Sequence, residues 1–267
     1  MKKQPSHKHH PAALDHPALQ DELNAEAQRR SLRPYVKRSL AIQFGIFIVL
    51  LALWGLPLAN PIKLLLVLFH ECSHLMAAYL TGGTPFGIAV HPAGAGVTLG
   101  IGGNELIVAL SGYFGSFLLG FALYYLSAKW ESADLWLVLL ILCCLSLFFG
   151  WLNDFTAVFG YGAITLMIVG QFLLRPHIKT FFVRVLATAS CLYPIIDVLN
   201  ETVMARGGSL TVNGVSVGSD IYQIAQISGW SQGFLGFPWI GATIPACAFL
   251  IIWSAHKDAE TTIKRRF

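Results

Sequence analysis

The chain has 267 residues, of which 55% are apolar and only 12% charged, and its mean hydropathy is +0.62. Soluble domains carry roughly a quarter charged residues, so the composition excludes a water-soluble globule and predicts a protein set in a lipid bilayer. The 18 basic residues outnumber the 14 acidic ones, but the excess lies in the tails, with eight basic and four acidic residues in 1 to 38 and four and two in 257 to 267. The segment between them is slightly acidic, which argues against a nucleic-acid partner and predicts cytosolic tails.

The first 38 residues are polar and carry His7, His9, His10 and His16 before a basic cluster of Arg29, Arg30, Arg33, Lys37 and Arg38. This region is too long and too polar for a cleaved leader, so it reads as a retained, solvated tail. Apolar runs long enough to cross about 30 Å of hydrocarbon follow at 39 to 59, 61 to 80, 105 to 127, 135 to 152, 155 to 174, 181 to 205 and 233 to 254. Residues 39 to 256 therefore form the membrane-embedded domain, and 257 to 267 form a basic C-terminal tail. The fold class is an all-α multi-pass membrane protein of six or seven spans with a small membrane-associated β-hairpin. Seven full crossings from an internal N-terminus would leave Arg175, Lys179, Arg184 and the basic C-terminus outside, against the usual distribution of positive charge. One run is thus expected to be incomplete, and the break at Asn153-Asp154 points to the 135 to 174 region.

Two connections break the helical pattern. Residues 82 to 104 are Gly-rich and carry no ionisable side chain except His91, so they read as two strands, Phe86 to His91 and Val97 to Ile101, around a Gly-rich turn. A hairpin so poor in charge is tolerated at membrane depth when protein covers it. Residues 209 to 218 hold Asn213-Gly214 between two alternating runs, a type I′ hairpin signal in a polar setting. The cysteines Cys72, Cys143, Cys144, Cys191 and Cys247 lie in apolar runs and form no C-x-x-C pair, which predicts neither a disulfide framework nor a thiolate metal site.

The second run contains His70-Glu71-Cys72-Ser73-His74. On a helix the two histidines share a face one turn apart and can hold one zinc ion, and Glu71 beside the first of them is positioned to take a proton from water. Ionisable groups at the bilayer centre cost about 2.5–3.5 kcal/mol each, a cost normally met only where they face a protein interior and have work to do. A catalytic zinc needs a third protein ligand, and the carboxylates near apolar sequence are Glu105, Asp134, Asp154, Asp197 and Glu201. Glu105 and Asp134 lie at run ends and mark interfaces. Asp197 lies deep in its run, three residues after Pro194 and one turn before Glu201, and is the preferred third ligand, with Asp154 at the run break as the alternative. Asn153 reads as a cap, Asp220 as the cap of a helix starting near Ile221, and Gly112, Gly115 and Gly120 as helix-packing positions.

The segment HECSHLMAAYLTGG from His70 to Gly83, the hairpin with GAGVT, the segment SGYFGS from Ser111 to Ser116, and CLYPIIDVLNE followed by Gly218-Ser219-Asp220 together resemble the site-2 protease family of intramembrane zinc metallopeptidases, in particular its peptidase M50B-like branch. The Tyr-x-x-x-Asp-x-x-x-acid helix and Ser-Asp pair of that branch match Tyr193, Asp197, Glu201 and Ser219-Asp220. The resemblance implies zinc ligation by His70 and His74, Glu71 as catalytic base, and membrane-protein substrates. Family members that carry the third ligand in an Asp-Gly motif differ from this chain, in which Phe155 follows Asp154. The expected function is that of a zinc-dependent intramembrane endopeptidase. The alternative is a non-hydrolytic membrane protein, a metal transporter or helper subunit, that keeps the metal-binding fold.

Overall fold

The computed structural model describes residues 17–130, 132–203, 210–212, 215–217 and 219–264. The histidines of the N-terminal tail, His7, His9, His10 and His16, and the Asn213-Gly214 turn lie outside the described residues. Among the described residues eight α-helices dominate: α1 (Pro17–Leu53), α2 (Asn60–Leu80), α3 (Glu105–Ser127), α4 (Ser132–Phe149), α5 (Asp154–Leu173), α6 (Pro176–Val203), α7 (Asp220–Ser228) and α8 (Gln232–Lys264). Two antiparallel hairpins interrupt them, β1 (Thr84–Val90) with β2 (Gly96–Ile101), and β3 (Leu210–Val212) with β4 (Val215–Val217). The protein is an all-α multi-pass membrane protein: six helices are long and apolar enough to cross a bilayer, and the shorter apolar helix, Asp134–Phe149, falls in the 135 to 174 region singled out from the sequence.

Local signals in the sequence set the element ends. Pro61 fits the first turn of α2, where its missing N–H would have no intrahelical partner. Asn104 caps α3 by accepting a hydrogen bond from the Ile107 amide at 3.1 Å. Asn153 caps α5 through the Thr156 amide at 2.7 Å. Helix α6 continues through Pro194, so that proline does not open the helix before Asp197; it only removes one backbone donor.

At the centre of the bundle, α3 packs against both α2 and α6, while α8 packs against α1 and α6. The core joins Leu66, Val67, Leu68 and Leu75 of α2 with Leu123 of α3, Leu135 and Leu139 of α4, and Val183 and Leu186 of α6. One polar network ties four helices together. Arg184 of α6 donates to Asp258 of α8 from both terminal nitrogens, at 2.7 and 2.6 Å, and its Nε reaches Ser127 of α3 at 3.2 Å. Ser39 of α1 donates to the same carboxylate at 2.7 Å. A bidentate pair of this kind, largely removed from water, costs most when one partner is deleted and the other is left uncompensated.

The first hairpin lies against α2. Ile88, Ala89, Val90 and Val97 are buried, and Thr98 Oγ1 donates to Glu71 Oε2 at 2.7 Å. The outer edge of β1 is taken up by the α4–α5 connection: the Ile88 amide donates to Gly150 O at 3.1 Å and the Leu152 amide to Ile88 O at 2.8 Å. Protein therefore covers one face and one edge of the uncharged hairpin, as burial of its backbone requires. His91 lies in the turn, where its Nδ1 accepts from the Ala93 amide at 3.2 Å. In the second hairpin the pairing of Val212 with Val215 leaves two positions for the connection, the length that Asn-Gly favours.

Candidate metal centre

Helix α2 carries His70 and His74 on one face, one turn apart, and both are buried. Helix α3 crosses this face at Gly112, where a Cβ would sit 2.5 Å from His70 Nε2 and would also meet the ring of His74. Gly115 gives similar room to Ser73, and Gly120 to Ala187 and Cys191 of α6. The glycines read as packing positions do allow close helix approach, and Gly112 in addition keeps open the space between two imidazoles. If the site holds a metal, Gly112→Ala is expected to lower its affinity by at least about tenfold, a loss on the scale seen when ligand orientation is disturbed, with helix content unchanged by circular dichroism. Zinc titration of the purified variant beside the wild type checks this.

The two rings meet a carboxylate from an unexpected element. His70 Nε2 lies 3.1 Å from His74 Nε2 and 2.9 Å from Asp220 Oδ2, and His74 Nε2 lies 3.1 Å from the same oxygen. Among the described residues, His70, His74 and Asp220 form the group of three potential ligands whose atoms lie within 4.8 Å of one another. Asp220 is the first residue of α7, with Ser219 at the cap position, so its side chain faces the histidines instead of capping the helix.

The proton inventory of the three groups fits a cation. His74 Nδ1 lies 2.7 Å from Val108 O; a carbonyl only accepts, so Nδ1 carries the proton and Nε2 of the neutral ring presents a lone pair. His70 Nδ1 lies 3.2 Å from buried Ser116 Oγ, which accepts from a ring in the same tautomer. Two lone pairs and a carboxylate oxygen then converge on one point. Ligands about 2.0–2.2 Å from a tetrahedral zinc are separated by about 3.3 Å, close to the observed spacing. The outer partners Val108 and Ser116 are the kind that fix ring orientation around a metal. Asp220 Oδ2, 2.9 and 3.1 Å from the two ring nitrogens, adds an anionic oxygen to the set.

The third-ligand expectation at Asp197 is not what the geometry favours. Asp197 lies on α6, half-buried, and it is outside the three-atom group. Its neighbour one turn on, Glu201, accepts from Tyr113 Oη at 2.8 Å. Asp154 is exposed in the first turn of α5. The reason is tertiary: the chain leaves α6, passes through the second hairpin and returns, so that α7 packs against α3 with its first residue over the imidazoles. Nothing in the local sequence of α7 reports that return, and the Ser-Asp pair of the family resemblance was the available signal. The rings of Tyr113 and Tyr193, not weighed as site residues from their residue types, flank His70 edge-on with centroids 5.6 and 5.3 Å away.

Glu71 is buried beside its neighbours. Its Oε2 accepts from Thr98, and Gly96 of β2 packs so closely that a Cβ there would collide with the same carboxylate. The hairpin therefore holds the carboxylate in one position. Asn153 is occupied by capping and by a 3.3 Å bond to Val90 O.

Fold and site together define a class, a helical membrane protein that sets a carboxylate against two buried histidines beside a glutamate. The chain belongs to the peptidase M50B-like family, whose sequence model matches residues 44–254, and with it to the site-2 protease family of membrane metallopeptidases. No curated protein and no solved structure matches the chain.

Proposed function

We propose that the protein is a zinc-dependent intramembrane endopeptidase in which His70, His74 and Asp220 hold the metal and Glu71 is the catalytic base. The observation that carries this reading is the convergence of His70 Nε2, His74 Nε2 and Asp220 Oδ2 within 3.1 Å of one another, in a chain of a metallopeptidase family. Asp220 takes the ligand position that sequence reasoning gave to Asp197. When bound, zinc supplies Lewis-acid polarisation of the scissile carbonyl and of water. Glu71, oriented by Thr98, takes the proton of the attacking water and delivers it to the departing amine nitrogen.

A substrate helix resists attack while its backbone bonds are intact, so the cleaved segment has to unwind. Strand β2 offers a place for it, because β1 occupies one of its edges and no strand pairs with the other among the described residues. Strand addition there satisfies the unwound backbone next to Glu71. The basic excess of the N-terminal tail supports a cytosolic position for it. A transporter path calls for successive metal sites, and the described residues hold one such group; a helper subunit has no use for an oriented Glu71.

The test is cleavage of a single-pass membrane substrate by the purified protein in liposomes. Activity should disappear with a zinc chelator and return on adding zinc. Cleavage that is indifferent to chelation would overturn the metallopeptidase reading.

A further inference from the structure

A cleft of about 400 Å3 opens between the start of α3 and helix α7, lined by Gly102, Glu105 and Val108 on one side and by Tyr222, Gln226 and Ile227 on the other. It adjoins the candidate metal centre from two directions. Val108 supplies the carbonyl that bonds His74 Nδ1, and α7 begins with Asp220. Strand β2 leads into it: Thr98 touches Glu71, the strand ends at Ile101, and Gly102 lines the cleft.

The cleft differs chemically from the bundle around it, with the Glu105 carboxylate and the amides of Gln223 and Gln226 among its lining residues. Glu105 is exposed, and none of the ion pairs among the described residues includes it. A peptide leaving the edge of β2 therefore passes into a cleft that carries the Glu105 carboxylate and two glutamine amides.

We propose that this cleft receives the polar segment flanking the cleaved bond of the membrane-protein substrate, and that Glu105 selects a lysine or arginine there. The proposal rests on the peptidase reading above and names the chemistry of the segment that reading leaves open. Extended chain rises about 3.3 Å per residue, so the four steps from Thr98 to Gly102 span about 13 Å. The preferred basic residue should accordingly lie about four to five positions from the cleaved bond. One residue much farther along would lie beyond the cleft.

The experiment uses the full-length protein in liposomes and single-pass test substrates with about twenty apolar residues. The flank at the predicted spacing carries Lys-Lys, Ser-Ser or Glu-Glu. The wild type should cleave the Lys-Lys substrate with the lowest KM. Glu105→Lys should raise that KM about threefold to tenfold and reverse the order in favour of Glu-Glu. In the Glu71→Gln background, where cleavage is slow, a photo-crosslinking residue at Gln226 should capture the Lys-Lys flank of the intact substrate. Charge-dependent crosslinking at Gln226 with no cleavage of any substrate by the wild type would support the cleft and refute the peptidase reading. Cleavage with equal KM for all three flanks, or cleavage with no crosslink at Gln226, would overturn the cleft assignment and leave the peptidase reading intact.

Discussion

Asp220→Asn is expected to strip zinc from the purified protein, lowering affinity by more than about 100-fold, whereas Asp197→Asn leaves the metal content near that of the wild type. The amide keeps the shape of Asp220 but removes the anionic oxygen, now 2.9 and 3.1 Å from the two imidazole nitrogens. Losing a direct ligand should cost more than the 10–100-fold typical of an outer partner. Asp197 does not join the ligand atoms of His70, His74 and Asp220. Its replacement should therefore change the field at the site without removing a bond. Zinc titration of both variants decides between the two carboxylates. The opposite ranking would return the third ligand to α6.

Glu71→Gln should do the reverse, keeping zinc while lowering cleavage by about 10²–10⁴-fold, the usual contribution of a positioned general base. Glutamine fills the same space between Thr98 and Gly96, so the hairpin contact and the histidine geometry persist. The amide has no basic oxygen to accept the proton of water. Single-turnover cleavage beside a metal assay on the same sample separates the two effects. Undiminished turnover in a zinc-loaded variant would remove Glu71 from the role of base.

These two residues mark how far the sequence could be read. Glu71 and its flanking histidines were legible because the pairing depends on helix period alone: three ionisable groups inside an apolar run need a protein interior and a purpose. The membrane-crossing runs and both hairpins were legible for the same kind of reason, since run length and turn chemistry are local, but α1 starts at Pro17, inside the segment read as a solvated tail. Asp220 was not, because what makes it a ligand candidate is the path of the chain after α6, and a residue following a polar hairpin looks solvated until that path is known. Asp197 was favoured by its depth in an apolar run, but depth measures the cost of a charge and does not identify its partner. Here, Tyr113, Tyr193 and Glu201 share that polar region of the bundle. Gly112 was legible as a packing residue, but that it spares room for two imidazoles depends on which part of α2 it faces.

Zinc K-edge absorption spectroscopy of the purified wild-type protein tests the central claim most directly. The account predicts one zinc per chain, with two imidazole nitrogens and one carboxylate oxygen in a shell at about 2.0–2.2 Å and no sulfur scatterer. A protein that carries no zinc when purified in its presence, or a spectrum dominated by sulfur at about 2.3 Å, would contradict it.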